Sequence, residues 1–263
     1  MIPEDFIKSW RKTVPWQMDE QIEQDLIISR ALVDLYNDPH IREALVFRGG
    51  TALNKLFIEP PARYSEDIDF VQKRPDPIGQ TIDAIRKLLK PWMGDPKWKI
   101  TQRGAKLIYK YESANQVPAK LKIEINTTEY FQVLPLKTVP FSTNSEWFKG
   151  SADIITYEID ELMATKLRAL YQRRKGRDLF DIWYAVDRNL INLDKAFDIF
   201  FEYNAYNNVK ISGEDFIKNI ELKKNHRDFN MDMRVLLPSK LHWNFDEAYQ
   251  FVLALLKKSL GKP

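Results

Sequence analysis

Apolar residues near the start of the chain recur at the period of an α-helix. Within residues 18–38, apolar residues recur at helical spacing through Ile22, Leu26, Ala31 or Val33, and Leu35. Pro39 follows directly, and a proline disrupts the backbone hydrogen bonds of a helix interior. This pattern predicts a leading helix that ends near residue 38.

A strand, a glycine turn and a second helix are predicted immediately afterwards. The apolar run at 45–47 meets Gly49 and Gly50, and a helical pattern follows over 51–57. Because the N-terminus of a helix presents unpaired backbone N–H groups, phosphate sites are often built from this order of elements. The segment is therefore a candidate phosphate-binding site.

The rest of the chain divides into a mixed first part and a helical second part. Up to about residue 150, the predicted elements are a strand at 67–71, a helix at 77–90 and strands at 98–102, 105–112 and 119–126. Beyond it, the predicted helices cover 158–174, 178–188, 192–206, 212–224 and 244–258. We predict an α/β domain over residues 1–150 and a helical domain over 151–263.

Composition limits the classes of site and partner that need to be considered. The 263 residues are 44% hydrophobic and 29% charged, which is enough for a buried core. The chain has no cysteine and only three histidines, which excludes disulfides and thiolate metal centres and disfavours a histidine-bound metal. Any metal is expected to be a hard ion held by carboxylates. The net charge of +3 does not by itself indicate a polyanionic partner.

No segment of the sequence has the properties of a secretory signal or a membrane span. The first residues, MIPEDFIKSW, are acidic and lack an apolar core. The longest apolar stretches are too short to cross a bilayer. We therefore expect a cytoplasmic protein without a membrane partner.

Two aspartates provide the strongest candidate for metal chemistry. Asp67 and Asp69 are two residues apart in a predicted strand, so their side chains point to the same face. Carboxylates so close together repel each other unless a cation neutralises them. This pair is consistent with a magnesium or manganese site. Taken alone, an exposed acidic strand end explains the pattern equally well.

The glycine pair upstream strengthens that interpretation. Gly49 and Gly50 lack a Cβ atom, so backbone N–H groups can approach an anion closely. Thr51 can cap the following helix or contact a phosphate. Arg48 and Arg63 are candidates for neutralising phosphate oxygens. An ordinary turn accounts for the glycines alone, and surface solvation accounts for either arginine alone.

A third carboxylate is found in the sequence KLKIEIN. Alternation places Lys120, Lys122 and Glu124 on one face of a strand whose other face is apolar. A strand of this kind can lie beside the one that carries the two aspartates. Glu124 would then complete the three carboxylates of a two-metal phosphoryl-transfer site and help to position or deprotonate the attacking hydroxyl. The alternative is a polar strand face with mixed charges.

One lysine interrupts the apolar side of the predicted helix at 158–174. Lys166 lies four residues after Leu162 and four before Leu170, so it needs an anion or a path to solvent. A triphosphate or the site carboxylates are the favoured partners. A lysine at the edge of the apolar side is the alternative.

Two aspartates follow near the start of the next predicted helix, in KGRDLFDIW. Asp178 is interpreted as the N-cap of that helix, which accounts for its presence. Asp181 is not explained by capping. It is placed to orient Lys166 or Arg177 through an ion pair.

These motifs together resemble a known family. The segments FRGGTALNKL, RYSEDIDF, LKIEIN, ELMATKLRALYQRRKGRD and RDLFDIW resemble the ordered motifs of AbiEii-type nucleotidyltransferase toxins, from bacterial type IV toxin–antitoxin and abortive-infection systems. The resemblance covers residues 45–186. It implies an α+β fold: a polymerase-β-like nucleotidyltransferase core, with a mixed sheet and flanking helices, plus a C-terminal helical domain.

The resemblance also implies roles for individual residues. It places the nucleotide site at Gly49, Gly50 and Ser65, and magnesium at Asp67 and Asp69. It implies that the active centre is completed by Lys166, Asp178 and Asp181. Glu124 corresponds to a KxE motif that begins at Lys122.

Members of that family with an assigned activity transfer nucleotides from a nucleoside triphosphate to the 3′ end of tRNA, which prevents aminoacylation and halts growth. The family also implies a cognate antitoxin encoded nearby. Some support for an RNA acceptor comes from basic residues, namely Arg168, Arg173, Arg174, Lys175 and Arg177 around Tyr171, and later Lys223, Lys224 and Arg227. Solvated helix faces explain the second group at least as well.

Three functions are compatible with these features. The leading one is nucleotidyl transfer to tRNA with growth arrest. The second uses the same fold to modify a protein or a small molecule. The third is a non-catalytic module that senses nucleotides and binds partners, and the complete set of acidic residues argues against it.

Overall fold

The computed structural model describes residues 2–260, and its central feature is a seven-stranded sheet. The strands are β1 (Leu45–Arg48), β2 (Asp67–Gln72), β3 (Lys97–Thr101), β4 (Gly104–Glu112), β5 (Pro118–Asn126), β6 (Lys137–Asn144) and β7 (Lys149–Thr156). Their order across the sheet is β3-β4-β5-β2-β1-β7-β6. The pairs β2–β5 and β1–β7 are parallel and the other pairs are antiparallel, so the sheet is mixed.

Helices precede, interrupt and follow these strands. They are α1 (Glu4–Trp10), α2 (Asp19–Tyr36), α3 (Pro39–Ala44), α4 (Gly49–Leu56), α5 (Gly79–Met93), α6 (Ile159–Gln172), α7 (Gly176–Asp187), α8 (Leu193–Tyr206), α9 (Gly213–Lys223), α10 (Arg227–Met231) and α11 (Phe245–Leu260). Together with the mixed sheet, they confirm the predicted α+β class. Among the helices described, none is both long and apolar enough to cross a membrane.

The sheet has one apolar and one polar face, as the alternation of its strands requires. In β5, Leu121, Ile123 and Ile125 are buried, whereas Lys122 and Glu124 on the other face are only half-buried. The apolar face packs against α2, which contacts β5, β6 and β7. The polar face is therefore the one on which charged chemistry can take place.

Aromatic side chains fix α2 on the centre of the sheet. Tyr36 of α2 lies 6.1 Å from Phe70 of β2 between ring centroids, and Phe70 lies 5.8 Å from Phe47 of β1. All three rings are fully buried, and the Tyr36 hydroxyl donates to the carbonyl oxygen of Ile155 at 3.1 Å. This packing holds β1 and β2 side by side, and both strands lead to the candidate site.

The chain divides into two compact units. The first runs up to Tyr130 and adds Leu136–Tyr157, so it contains the whole sheet. The second comprises Phe131–Pro135 and the described residues from Glu158 onwards. Residue 150, at which the sequence predicts a domain boundary, lies within β7. That domain assignment stays a prediction.

A buried glutamate ties the short segment Phe131–Pro135 to the second unit. The Glu161 carboxylate is fully buried and accepts from the backbone N–H groups of Val133 at 2.8 Å and Leu134 at 2.9 Å. The Tyr203 hydroxyl donates to the same carboxylate at 2.7 Å. Because a buried carboxylate is stable only when such donors surround it, these bonds account for Glu161 without a catalytic role.

Candidate active site

Three carboxylates meet on the polar face of the sheet. In β2, Asp67 and Asp69 alternate with the buried residues Ile68 and Phe70, so both aspartates point to the polar face. β5 lies parallel to β2, with Asp69 directly opposite Glu124. The structure thus brings together the three residues that the sequence predicts as metal ligands, and it confirms that their strands are neighbours.

Lysine side chains neutralise two of these carboxylates, Asp67 and Glu124. The Lys122 ammonium lies 2.5 Å from Asp67 Oδ2 and 3.8 Å from Glu124 Oε1, and Lys106 lies 2.5 Å from Glu124. Burial lowers the pKa of Lys122, but the hydrogen bond and charge of Asp67 outweigh it and raise the pKa overall. The site therefore already attracts a cation. Among residues 2–260, no three Asp, Glu, His or Cys side chains form a ready-made metal site.

Gly49 brings the start of α4 against one of these carboxylates. Its φ of +84° lies in the left-handed region that favours glycine. A Cβ atom at this position would lie 2.6 Å from Asp69 Oδ2, well inside van der Waals contact. The absence of a side chain thus allows the N-terminus of α4 to lie beside the Asp69 carboxylate. The start of α4 and the carboxylates lie side by side, and the binding of an anion at the glycine turn stays a prediction.

Gly50 makes room for a buried arginine. A Cβ atom on Gly50 would lie 2.3 Å from Arg63 Nη2, and the Arg63 side chain is only 1% exposed. Asn54 Oδ1 accepts from the Arg63 backbone N–H at 3.1 Å, and Arg63 Nη1 donates to the Tyr64 carbonyl at 3.0 Å. The alternative of a solvated surface arginine is therefore wrong. Arg63 places a permanent positive charge next to the glycine turn.

The hydroxyl groups of Thr51 and Ser65 link α4 to the start of β2. The Thr51 hydroxyl donates to the carbonyl oxygen of Asp67, and the two hydroxyl oxygens lie 2.8 Å apart. α4 begins at Gly49 and Arg48 occupies its N-cap without a side-chain capping bond, so of the two alternatives for Thr51 the helix cap is wrong. A buried threonine this close to the strand backbone helps instead to fix the position of Asp67.

Arg48 lies in the same cross-strand row as Asp69. The two residues are direct partners in the antiparallel pair of β1 and β2. Arg48 Nη1 forms an ion pair with Glu129 Oε2 at 2.8 Å, and both side chains are about a quarter exposed or less. The guanidinium is thus held near the carboxylates while part of it still reaches solvent.

The predicted lysine of α6 forms a buried cluster of charges in the second unit. Lys166 is only 6% exposed, and its Nζ lies 2.9 Å from Asp181 and 3.5 Å from Asp178. The ion pair predicted between Asp181 and Lys166 is present. Arg173 adds two hydrogen bonds to Asp178, at 2.7 Å and 2.8 Å. The alternative of a lysine at the edge of the apolar side of the helix is therefore wrong, because Lys166 and both of its carboxylate partners are buried.

Asp178 does not cap α7. The helix begins at Gly176, and Lys175 occupies the N-cap without a side-chain capping bond. The sequence-based interpretation of Asp178 is wrong because its carboxylate turns inward to Lys166 and Arg173 rather than back to the backbone of its own helix. Arg177 pairs with Asp232 at 3.3 Å instead of with Asp181.

Most of the basic residues around Tyr171 have partners within the second unit. Besides Arg173 and Arg177, the Arg168 guanidinium lies 5.1 Å from the centroid of the Tyr203 ring. Lys223 donates to the carbonyl oxygens of Leu170 and Tyr171 at the end of α6. Burial lowers the pKa of Lys223 to about 8, with a further lowering from the charge of Arg174. These cations therefore stabilise the helical unit, which weakens the sequence-based case for an RNA surface there.

Comparison with known proteins identifies the family. A family model described as nucleotidyl transferase AbiEii toxin, type IV toxin–antitoxin system, matches residues 30–251. The nucleotidyltransferase toxin MenT4 (Rv2826c) from Mycobacterium tuberculosis H37Rv is similar in structure, with a TM-score of 0.69 and 14% identity over 98% of this chain and 90% of that chain. No curated protein sequence matches this chain at a significant level.

Two structures from Helicobacter pylori are also similar. One, named as a candidate nucleotidyltransferase, has a TM-score of 0.57 and 17% identity over 93% of this chain and 98% of that chain. The other, JHP933, has a TM-score of 0.54 and 16% identity over 94% and 95% of the two chains. At these identities the likeness shows the fold, and it confirms the predicted nucleotidyltransferase architecture.

Proposed function

The chain belongs to the AbiEii family of nucleotidyltransferase toxins, and we propose that it transfers a nucleoside monophosphate from a nucleoside triphosphate to the 3′ end of tRNA. In this proposal the transfer depends on a divalent metal, takes place in the cytoplasm and blocks aminoacylation and growth. The proposal rests on one observation: the carboxylates of Asp67, Asp69 and Glu124 share one face of the sheet, beside the glycine turn at Gly49. An anion cradle and a set of carboxylates are what a triphosphate with its metal requires.

The carboxylates fit a hard divalent cation. Asp67, Asp69 and Glu124 offer only oxygen donors, and the Lys122 ammonium shows that they attract positive charge. These three residues would hold Mg²⁺ or Mn²⁺. When bound, the metal would neutralise charge on the triphosphate and polarise the phosphoryl group that is transferred. Glu124 would also help to position or deprotonate the attacking hydroxyl.

The glycine turn and the arginines would hold the triphosphate. Backbone N–H groups at Gly49 and Gly50 would donate to phosphate oxygens, and Arg63 beneath the turn would add positive charge. Arg48 would contribute in the same way, with Thr51 and Ser65 setting the shape of the site. In the second unit, the proposal assigns Lys166 to the triphosphate and assigns Asp178 and Asp181 to holding its ammonium in place.

Incubation with labelled nucleotides tests the proposed reaction. The protein would be mixed with total tRNA, Mg²⁺ and each α-labelled nucleoside triphosphate in turn, and the products would be separated by denaturing gel electrophoresis. We expect label at the 3′ end of tRNA with wild-type protein and none with Asp69→Asn. Label on protein in a cell lysate would instead assign a protein acceptor. Nucleotide binding without transfer to any fraction would favour a nucleotide-sensing module.

Membership of a type IV toxin–antitoxin family implies an antitoxin partner. In the proposal, the gene for that partner lies close by. Expression of the chain alone should therefore arrest growth, and co-expression of the neighbouring gene should restore it. Growth arrest by the Asp69→Asn variant as strong as by wild type would contradict a toxicity that depends on transfer.

We expect Gly49→Ala to reduce transfer by about 100-fold, the loss that misplacement of a reacting group by about 1 Å can cause. The added Cβ would lie 2.6 Å from Asp69 Oδ2, so the carboxylate or the turn has to move. Steady-state transfer assays check this. Gly94→Ala is the matched control, because Gly94 also has a positive φ, +72°, but nothing lies within 4 Å of its Cβ position. Equal activity of the two variants would show that contact with Asp69 is unimportant.

We expect Ser65→Glu to reduce transfer at least about 10-fold more than Ser65→Ala, a difference of about 1.4 kcal/mol in activation free energy. The Ser65 hydroxyl lies 2.8 Å from that of Thr51, which itself bonds to the Asp67 backbone. A carboxylate at this position would repel the substrate phosphates and compete for the metal. Transfer assays at saturating Mg²⁺ measure the difference. Similar, small effects of both substitutions would assign Ser65 to the local turn alone.

A further inference from the structure

A second group of lysines lies on the polar face of the sheet. Cross-strand partners point to the same face, and the register places Lys99 opposite Lys106 and Lys106 opposite Glu124, which is opposite Asp69. The neighbouring positions on this face, two residues along each strand, include further lysines. We define the lysine face as Lys97, Lys99, Lys106, Lys110, Lys120 and Lys122 of β3, β4 and β5.

Four of these lysines are available to a partner. Lys106 and Lys122 are engaged with Glu124 and Asp67, as described above. The side chains of the rest are exposed, and within residues 2–260 they take part in no ion pair. These are Lys97, Lys99, Lys110 and Lys120. This contrasts with the basic residues around Tyr171, most of which have partners within their own unit.

The pairing of these lysines is unfavourable for the sheet itself. Lys99 lies directly opposite Lys106, and Lys110 lies directly opposite Lys120. Like charges directly opposite each other on antiparallel strands destabilise the pairing of those strands. If this face needed only to be soluble, a glutamate in place of one lysine of each pair would make the sheet more stable. The arrangement therefore fits a surface that binds negative charge.

The lysine face adjoins the proposed reaction centre. Three strand-to-strand steps separate Lys99 from Asp69, which corresponds to about 14 Å at a spacing of about 4.8 Å per step. An extended polyanion on this face would thus lead directly to the carboxylates. Lysine ammonium groups suit the phosphates of a nucleic acid backbone, because such contacts need charge but no fixed geometry.

We propose that the lysine face binds the phosphate backbone of the RNA acceptor and guides its end to Asp67 and Asp69. This inference rests on the proposed transfer to RNA and adds the surface that holds the acceptor. It assigns the main contact to the sheet of the first unit rather than to the helices around Tyr171. An acidic polypeptide is the competing occupant that the experiment has to exclude.

Binding of a labelled RNA, measured without nucleotide or metal, tests this assignment independently of catalysis. The probe is a mixed-sequence, single-stranded RNA of about 20 nucleotides, followed by fluorescence anisotropy in EDTA at several salt concentrations. The face variant is Lys99→Gln/Lys110→Gln/Lys120→Gln. The control variant, with the same change in charge on exposed lysines elsewhere, is Lys87→Gln/Lys149→Gln/Lys218→Gln.

The face variant should bind RNA about 100-fold more weakly than wild type at 0.1 M salt. Three lost phosphate contacts should also reduce the slope of log K against log salt by about 2, since each contact on a single strand contributes about 0.7. Its thermal stability should be unchanged or higher, because the like-charge pairs are removed. The control variant should retain most of the affinity. In transfer assays, the face variant should raise KM for tRNA without changing KM for the nucleotide.

Three results would overturn the proposal. Equal loss of affinity in the face and control variants would assign binding to net charge alone, and no loss in either would place the RNA elsewhere. Displacement of the RNA by polyglutamate of the same charge, as effectively as by unlabelled RNA, would assign the face to an acidic polypeptide. Because binding is measured without turnover, a protein that binds RNA on this face but transfers nothing would contradict the proposed function alone.

Discussion

Asp69→Asn should abolish nucleotidyl transfer while the protein stays folded. The substitution keeps the shape of the side chain but removes a negative charge opposite Glu124, on the face where the metal is proposed. We expect a loss of at least about 100–1,000-fold in kcat, comparable to the removal of a single group that stabilises developing charge. The expected change in melting temperature is small or positive, because carboxylate repulsion decreases.

The decisive measurements are transfer rate and metal binding. Mn²⁺ binding followed by electron paramagnetic resonance, without nucleotide, should weaken in Asp69→Asn and also in Asp67→Asn. Asp83→Asn on α5 is the matched control, since it makes the same chemical change at an exposed ion pair with Arg86. Wild-type turnover in either site variant would contradict the assignment. Unfolding of Asp69→Asn would indicate a structural role instead.

The geometry of the polar face could be predicted because strand alternation determines it. Asp67, Asp69 and Glu124 follow the period of two so clearly that their common face is evident from the sequence. The same alternation contains Lys122, whose ion pair with Asp67 was not predicted. The sequence KLKIEIN carried that signal, because a lysine two residues before Glu124 must share its face. The alternation does not reveal which strands become neighbours in the sheet, or in which register they pair.

Tertiary contacts explain the predictions that were wrong. Asp178 has the local pattern of an N-cap, but two cations from elsewhere in the second unit compete for its carboxylate and outweigh a single backbone bond. Arg63 looks like a surface residue from its neighbours in sequence, yet Gly50 leaves the space in which it is buried. Burial of such charges depends on partners that sequence spacing does not identify.

The edge strand β6 was not predicted, for a different reason. β6 is an edge strand that pairs only with β7 in the described residues, and it is mostly exposed. Pro140 lies in its middle, which is tolerated at an edge but argues against a strand when the sequence is considered alone. Only Val139 and Phe141 show the apolar alternation of a strand, which is too short a pattern to distinguish the segment Lys137–Asn144 from a loop.

Lys166→Met should destabilise the protein and abolish transfer, and the two effects can be separated. The ammonium lies 2.9 Å from Asp181 and 3.5 Å from Asp178, which are both fully buried. Removing one partner of a buried ion pair costs about 3–5 kcal/mol, because the remaining charge stays in a medium of low polarity. We expect a drop of roughly 10 °C in melting temperature, at about 2–4 °C per kcal/mol for a chain of this size.

The double variant Lys166→Met/Asp181→Asn distinguishes a structural lysine from one that acts on the triphosphate. Removing the carboxylate charge as well should recover most of the lost stability, since neither member of the pair is then left charged. If Lys166 binds the triphosphate, nucleotide affinity measured by calorimetry and transfer activity should both stay low in this stable double variant. Recovery of transfer together with stability would show that Lys166 only supports the fold. If the single variant is as stable as wild type, the buried ion pair contributes little to the free energy of unfolding. The packing of α6 against α7 would then be stabilised mainly by apolar contacts.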